Sequence, residues 1–138
     1  MNAIEQLKAE IANIKAEHPK IRAVELAKKA GISEAELTSL SLGNGLVTKL
    51  TPDWKDLLLS LEPLGKIMAL TRNTHCVHER KGVYKNVEFY KGAHNMGVAV
   101  NPDIDLRFFM NQWKYGFAVI MDRGKMPTLY SFQFFNEN

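Results

Sequence analysis

LEPLGKIMALTRNTHCVHERKG, residues 61–82, is where the chain changes texture. Pro63 and Gly65 break any helix arriving from the N-terminal side. Beyond them the apolar residues no longer recur at helical spacing. They come instead in short runs bounded by turn residues, Ile67–Arg72 and His75–Glu79, with Asn73-Thr74 between them. The same texture continues through Val83–Phe89, Met96–Val100 and Leu106–Met110, with turns expected at Lys81-Gly82 and Pro102-Asp103. Tyr115–Asp122 and Thr128–Phe135 flank Arg123-Gly124-Lys125, a hairpin signal. Strands joined by such short turns must pair mostly antiparallel, because a parallel crossover needs a dozen or more residues.

Upstream of the break the pattern is helical. Ile4, Leu7, Ile11 and Ile14 form one stripe that His18-Pro19 ends. A second helix is expected from Ile21 to Ala30, with Val24 and Ala27 inward and Gly31 as its stop. Ser33 with Glu36 predicts a capping box for a third helix through Leu42, and Gly43-Asn44-Gly45 closes it. Thr51 followed by Pro52 predicts the cap and first position of a fourth helix reaching Leu61. The class is therefore α+β: an N-terminal helical part (1–64), then an antiparallel meander (65–138), in a single domain spanning 1–138. The last strand has Tyr130, Phe132 and Phe134 on one face, and Asn136-Glu137-Asn138 reads as the opening of a turn with no strand after it. Truncation at this end is the expectation, together with self-association through the hydrophobic strand edge.

A length of 138 residues suits one domain, and a net charge of +3 with scattered Lys and Arg does not suggest nucleic acid as partner. The single cysteine, Cys76, excludes an internal disulfide. No signal-peptide core and no membrane-length apolar run is present, so the cytoplasm is the expected compartment.

Few constellations carry chemistry. Val24–Leu40 (VELAKKAGISEAELTSL) has the outline of a helix-turn-helix, yet its second helix carries Glu34 and Glu36 and no base before Lys49. Carboxylates facing phosphates repel, so a packed helical hairpin is the better reading and a DNA-binding regulator a distant one. His75, Cys76 and His78 include zinc-type ligands, but on a strand His75 and His78 point to opposite faces. No phosphate loop, nucleophile elbow or dinucleotide fingerprint occurs, and no catalytic residue can be named. Arg107 stands out. In Asp105-Leu106-Arg107-Phe108-Phe109 it shares a face with Asp105 and Phe109. An arginine among apolar residues is either a surface snorkel or a planar fork for a carboxylate. Haem asks for that second arrangement: apolar surface for the macrocycle, a cation for the propionates and an axial ligand for iron.

Gly65–Gly82, Tyr84 and Asn86, Asn101–Asn111 (NPDIDLRFFMN) with Gln112-Trp113, and Ser131–Phe135 (SFQFF) together resemble the haem-utilisation family of HemS and ChuS type. The N-terminal helices are similar to that family as well. The resemblance implies one half of a tandem fold whose halves enclose haem in a cleft. It implies that Arg107, in the DLR motif, reaches the propionates, with Phe109 and Trp113 beside it and His78 handling haem and its iron. The family's usual axial histidine belongs to the C-terminal half, which this chain does not contain. His75 and Cys76 depart from the family's pattern and become competing ligands. Haem b is thus the expected ligand, bound as cargo or substrate, with a haem oxygenase or haem-uptake component as possible partner. The function implied is haem binding and intracellular transfer in iron acquisition, with haem degradation as the alternative.

Overall fold

The computed structural model describes residues 1–92 and 95–137. Four helices, α1 (Ala3–Glu17), α2 (Ala23–Lys29), α3 (Glu34–Ser39) and α4 (Trp54–Leu59), precede residue 66. The strands are β1 (Val47–Lys49), β2 (Lys66–Arg72), β3 (Val77–Val83), β4 (Val87–Phe89), β5 (Met96–Val100), β6 (Asp105–Phe109), β7 (Tyr115–Arg123) and β8 (Met126–Phe135). Every ladder between these strands is antiparallel, and the class is α+β as the sequence predicts. The chain forms two compact units, one of Met1–Leu50 with Tyr115–Asn138 and one of Thr51–Lys114.

In the first unit α1 ends at Glu17 ahead of His18-Pro19 as expected, whereas α2 starts at Ala23 rather than Ile21 and α3 stops at Ser39, three residues short of Leu42. Ser33 and Glu36 close their capping box, and the bonds to Ser33, first that of its backbone N–H, hold the Glu36 carboxyl below its ordinary range. Asn2 and Glu5 build a second box on α1, which satisfies backbone donors left free at a helix start. Helix α2 buries Leu26 and Ala27 rather than Val24, which is 39% exposed. Positions 24 and 26 lie on nearly opposite sides of a helix, so both cannot face inward, and leucine has more apolar area to bury.

Strand β1 is the unexpected element: three residues after the glycine turn pair with β7, about seventy positions later, in the order β1-β7-β8. Nothing local marks so short a strand. Val47 joins Ala35 and Phe117 in a buried cluster, with Val119 and Phe135 packed against it. Tyr130, Phe132 and Phe134 share the other face of β8, as expected, in register with Ile120, Ala118 and Gly116. Strand β8 lies at the edge of its sheet. Asn138, the last residue of the turn expected there, lies outside the described residues.

The second unit holds α4, the β2–β3 hairpin and the sheet β4-β5-β6. Thr51 does not cap α4. The N-cap is Asp53, without a side-chain cap bond, and Pro52 lies before the helix. The start is chosen by Trp54 and Leu58, four apart on one face and both buried. The hairpin turn begins at Asn73, whose Oδ1 accepts the backbone N–H groups of His75 and Cys76 at 2.9 Å each. The expected strand at His75–Glu79 therefore starts two residues later. Lys81-Gly82 is not a turn but the middle of β3's far end. A Cβ on Gly82 would stand 2.7 Å from Cγ1 of Ile104, so this glycine permits close approach rather than reversal. Strand β3 runs on to Val83 instead, leaving only Val87–Phe89 of the expected strand 83–89 as β4, while Met110 falls in a 3-10 turn.

Asn101 ties the end of β3 to the turn before β6. Its Nδ2 donates to the carbonyl of Val83 at 3.0 Å, and its Oδ1 accepts from the N–H groups of Asp103 and Ile104 at 3.1 Å each. Ile104, 1% exposed, is thereby seated under β3 immediately before β6 begins.

Candidate functional site

The sheet β4-β5-β6 has two chemically different faces. Register places Phe89, Gly97 and Phe108 in one row and Val87, Ala99 and Leu106 in the next, on the inner face. Gly97 has no side chain because the Phe89 ring occupies that space. The rings of Phe89 and Phe108 lie across it, with centroids 6.5 Å apart. Phe108 also meets Trp113 edge-on at 5.9 Å and Tyr84 at 6.4 Å. Burial pushes the Tyr84 phenol above its ordinary range. A group whose folded pKa is raised stabilises the fold below its unfolded pKa of about 10, and that contribution is lost as pH rises through the folded value. An alkaline titration should show a late phenol phase that Tyr84→Phe abolishes; a late phase that survives in Tyr84→Phe contradicts it.

Alternation sends the intervening residues to the outer face. Arg107 lies opposite Val98, which lies opposite Glu88; Phe109 lies opposite Met96, and Asp105 opposite Val100. Phe109 is 50% exposed. The arginine thus stands among exposed Val100 and Phe109 and half-buried Met96 and Val98. Its Nη1 donates to Oδ1 of Asp105 at 3.0 Å. Glu88, at the edge strand, accepts from the Tyr90 hydroxyl at 3.3 Å.

Of the residues singled out from sequence, Arg107 and Phe109 come together here. Trp113 does not join them; it packs against Phe108 on the inner side. His78 lies on β3 opposite Thr71 and faces an open groove of about 300 Å³. Arg80, Asp103 and Asp105 line the same groove, and Arg80 Nε donates to the Asp103 carbonyl at 2.9 Å. Asp105 therefore borders both the histidine's groove and the arginine's face. His75 and Cys76 are exposed in the hairpin turn. Among the described residues no three His, Cys, Asp or Glu side chains converge as a metal site. Sequence reasoning gave no part to Met96, Val98 and Val100, although their alternation with Gly97 and Ala99 was the available signal.

The outer face fits a haem on chemical grounds: exposed apolar side chains to cover a macrocycle, and a guanidinium with donors to spare for a carboxylate. The chain is similar to several known proteins. The hemin transport protein HmuS of Yersinia pestis is 40% identical over 137 residues, 99% of this chain and 38% of HmuS. The crystal structure of holo-PhuS, a heme-binding protein from Pseudomonas aeruginosa, superposes with a TM-score of 0.87 at 41% identity, covering 99% of this chain and 38% of that one. The heme degrading enzyme ChuS of Escherichia coli O157:H7 superposes at 0.81 with 27% identity, over 97% of this chain and 39% of ChuS. The chain thus spans little more than a third of the length of these relatives. The family model for the haemin-degrading HemS.ChuX domain matches residues 31–138. The chain belongs to the haemin-degrading HemS.ChuX domain family.

Proposed function

We propose that this chain binds haem on the outer face of β4-β5-β6 and serves its intracellular transfer in iron acquisition from haem. The observation that carries the reading is Arg107 on an open apolar sheet face beside Phe109. Arg107 would hold a propionate, Phe109, Val98 and Met96 would cover the macrocycle, and His78 would approach the iron, with His75 and Cys76 as competing ligands. Trp113 would act from the inner side by supporting Phe108. The haem-related names of the relatives support the same substrate, and no helix of the described residues is long and apolar enough to cross a membrane. We place the protein in the cytoplasm, handing haem to an oxygenase or receiving it from an uptake component. Among the described residues β8 lies at the edge of its sheet, which supports pairing with a further strand, in a second copy or another polypeptide. Nucleic acid is a poorer partner, since α3 is six residues long with Glu34 and Glu36 in its first turn.

The test is a haemin titration followed by the Soret band, with molecular mass measured in parallel. Saturable binding at one equivalent is expected, and His78→Ala should shift the band. An unchanged spectrum and affinity in that variant would move iron ligation elsewhere. The kinship with ChuS favours haem degradation as the second reading; ring opening on supplying an electron donor would establish it over transfer.

A further inference from the structure

We propose that Asp105 limits how tightly the Arg107 face retains a carboxylate-bearing ligand, acting as a like-charged competitor on the same guanidinium. The inference rests on the haem-binding reading above and deepens it. Asp105 and Arg107 are two residues apart on β6, so both project from the outer face. Their contact is a single bond from Nη1 to Oδ1 at 3.0 Å, between side chains 60% and 64% exposed. The pair leaves the remaining guanidinium donors for a second carboxylate.

An exposed ion pair of this kind adds little to the fold. What it changes is the field at the face. With Asp105 beside it, Arg107 presents a neutral pair rather than an isolated cation, and Glu88 lies in the same row beyond Val98. An arriving carboxylate shares the guanidinium with Asp105, so two anions end up one guanidinium width apart. In the free protein, water screens any anion near Asp105. Once an apolar macrocycle covers Met96, Val98 and Phe109, that screening falls and the repulsion grows. The repulsion therefore opposes retention more than first encounter. A surface built to pass its ligand on gains from this, because affinity differences lie mostly in the rate of release.

Two substitutions separate charge from positioning. Asp105→Asn keeps an acceptor for Nη1 and removes the charge; Asp105→Ala removes both. The probe is haemin, titrated into the parent chain and the variants, with release followed into an excess of a haem-scavenging apoprotein. Asp105→Asn should bind about three- to tenfold tighter and release correspondingly more slowly, the range set by partial screening of a like-charge contact. In an Arg107→Ala background the gain should shrink below about twofold, since the competition needs the guanidinium. Equal or weaker binding by Asp105→Asn overturns the inference. So does weakening confined to Asp105→Ala, which would make Asp105 a positioning residue. Absence of saturable haemin binding by the parent chain overturns the haem reading itself, so the two failures are told apart by which protein shows them.

Discussion

Arg107→Ala should weaken haemin binding by about tenfold or more while leaving the urea midpoint of the chain nearly where it was. A hydrogen bond to a charged group is worth roughly 1.5–3 kcal/mol when solvent is excluded, and about 1.4 kcal/mol is a factor of ten. Arg107 is exposed in the free protein, and its partner Asp105 is a surface carboxylate. Its removal therefore costs the fold within about 0.5 kcal/mol, as for surface substitutions generally. The loss appears only with ligand in place. Arg107→Lys should recover part of the affinity, because an ammonium keeps the charge but not the planar fork. The deficit of Arg107→Ala should also narrow at high salt, where the guanidinium's advantage is screened. A haemin titration of Arg107→Ala that overlays the parent curve removes this residue from the site.

Its neighbour in the chain should behave in the opposite way. Phe108→Ala should lower stability by about 3–5 kcal/mol, the usual range for deleting a buried aromatic ring. Phe108 is 6% exposed and touches Tyr84, Phe89 and Trp113. Gly97 lies in register beside it and has no side chain to fill the space left behind. Domains of this kind have about 5–15 kcal/mol in total, so the loss is a large share. Urea unfolding followed by tryptophan fluorescence measures it, and Phe108→Leu should lose less because part of the volume is kept. A midpoint for Phe108→Ala indistinguishable from the parent's would show that the aromatic cluster does not hold this unit together. The two predictions turn on one fact of strand geometry: residues 107 and 108 leave the backbone on opposite faces.

That alternation is legible in Asp105-Leu106-Arg107-Phe108-Phe109, and so is which residues share a face with Arg107. The capping box at Ser33 and Glu36 is equally legible, because its partners are three residues apart. So are the hairpin at Arg123-Gly124-Lys125 and the change from helix to strand at Pro63 and Gly65. Thr51 misleads because a cap residue is only a local preference. Burial of Trp54 and Leu58 outweighs it and starts the helix at Trp54. Gly82 misleads because glycine serves both turns and close approach; Ile104, 22 positions away, decides between them.

Arg107, Phe109 and the resemblance to the family are therefore legible in the order of residues alone, since period-two alternation and motif spacing are properties of neighbours. Other features come from pairings that span tens of residues. These are the seating of Trp113 on Phe108, the groove that His78 shares with Asp105, the union of Val98 and Met96 with the Arg107 face, and the strand at Val47–Lys49. Each is selected by burial and ladder hydrogen bonds between segments distant in sequence, and such contacts have no signature in either segment read by itself.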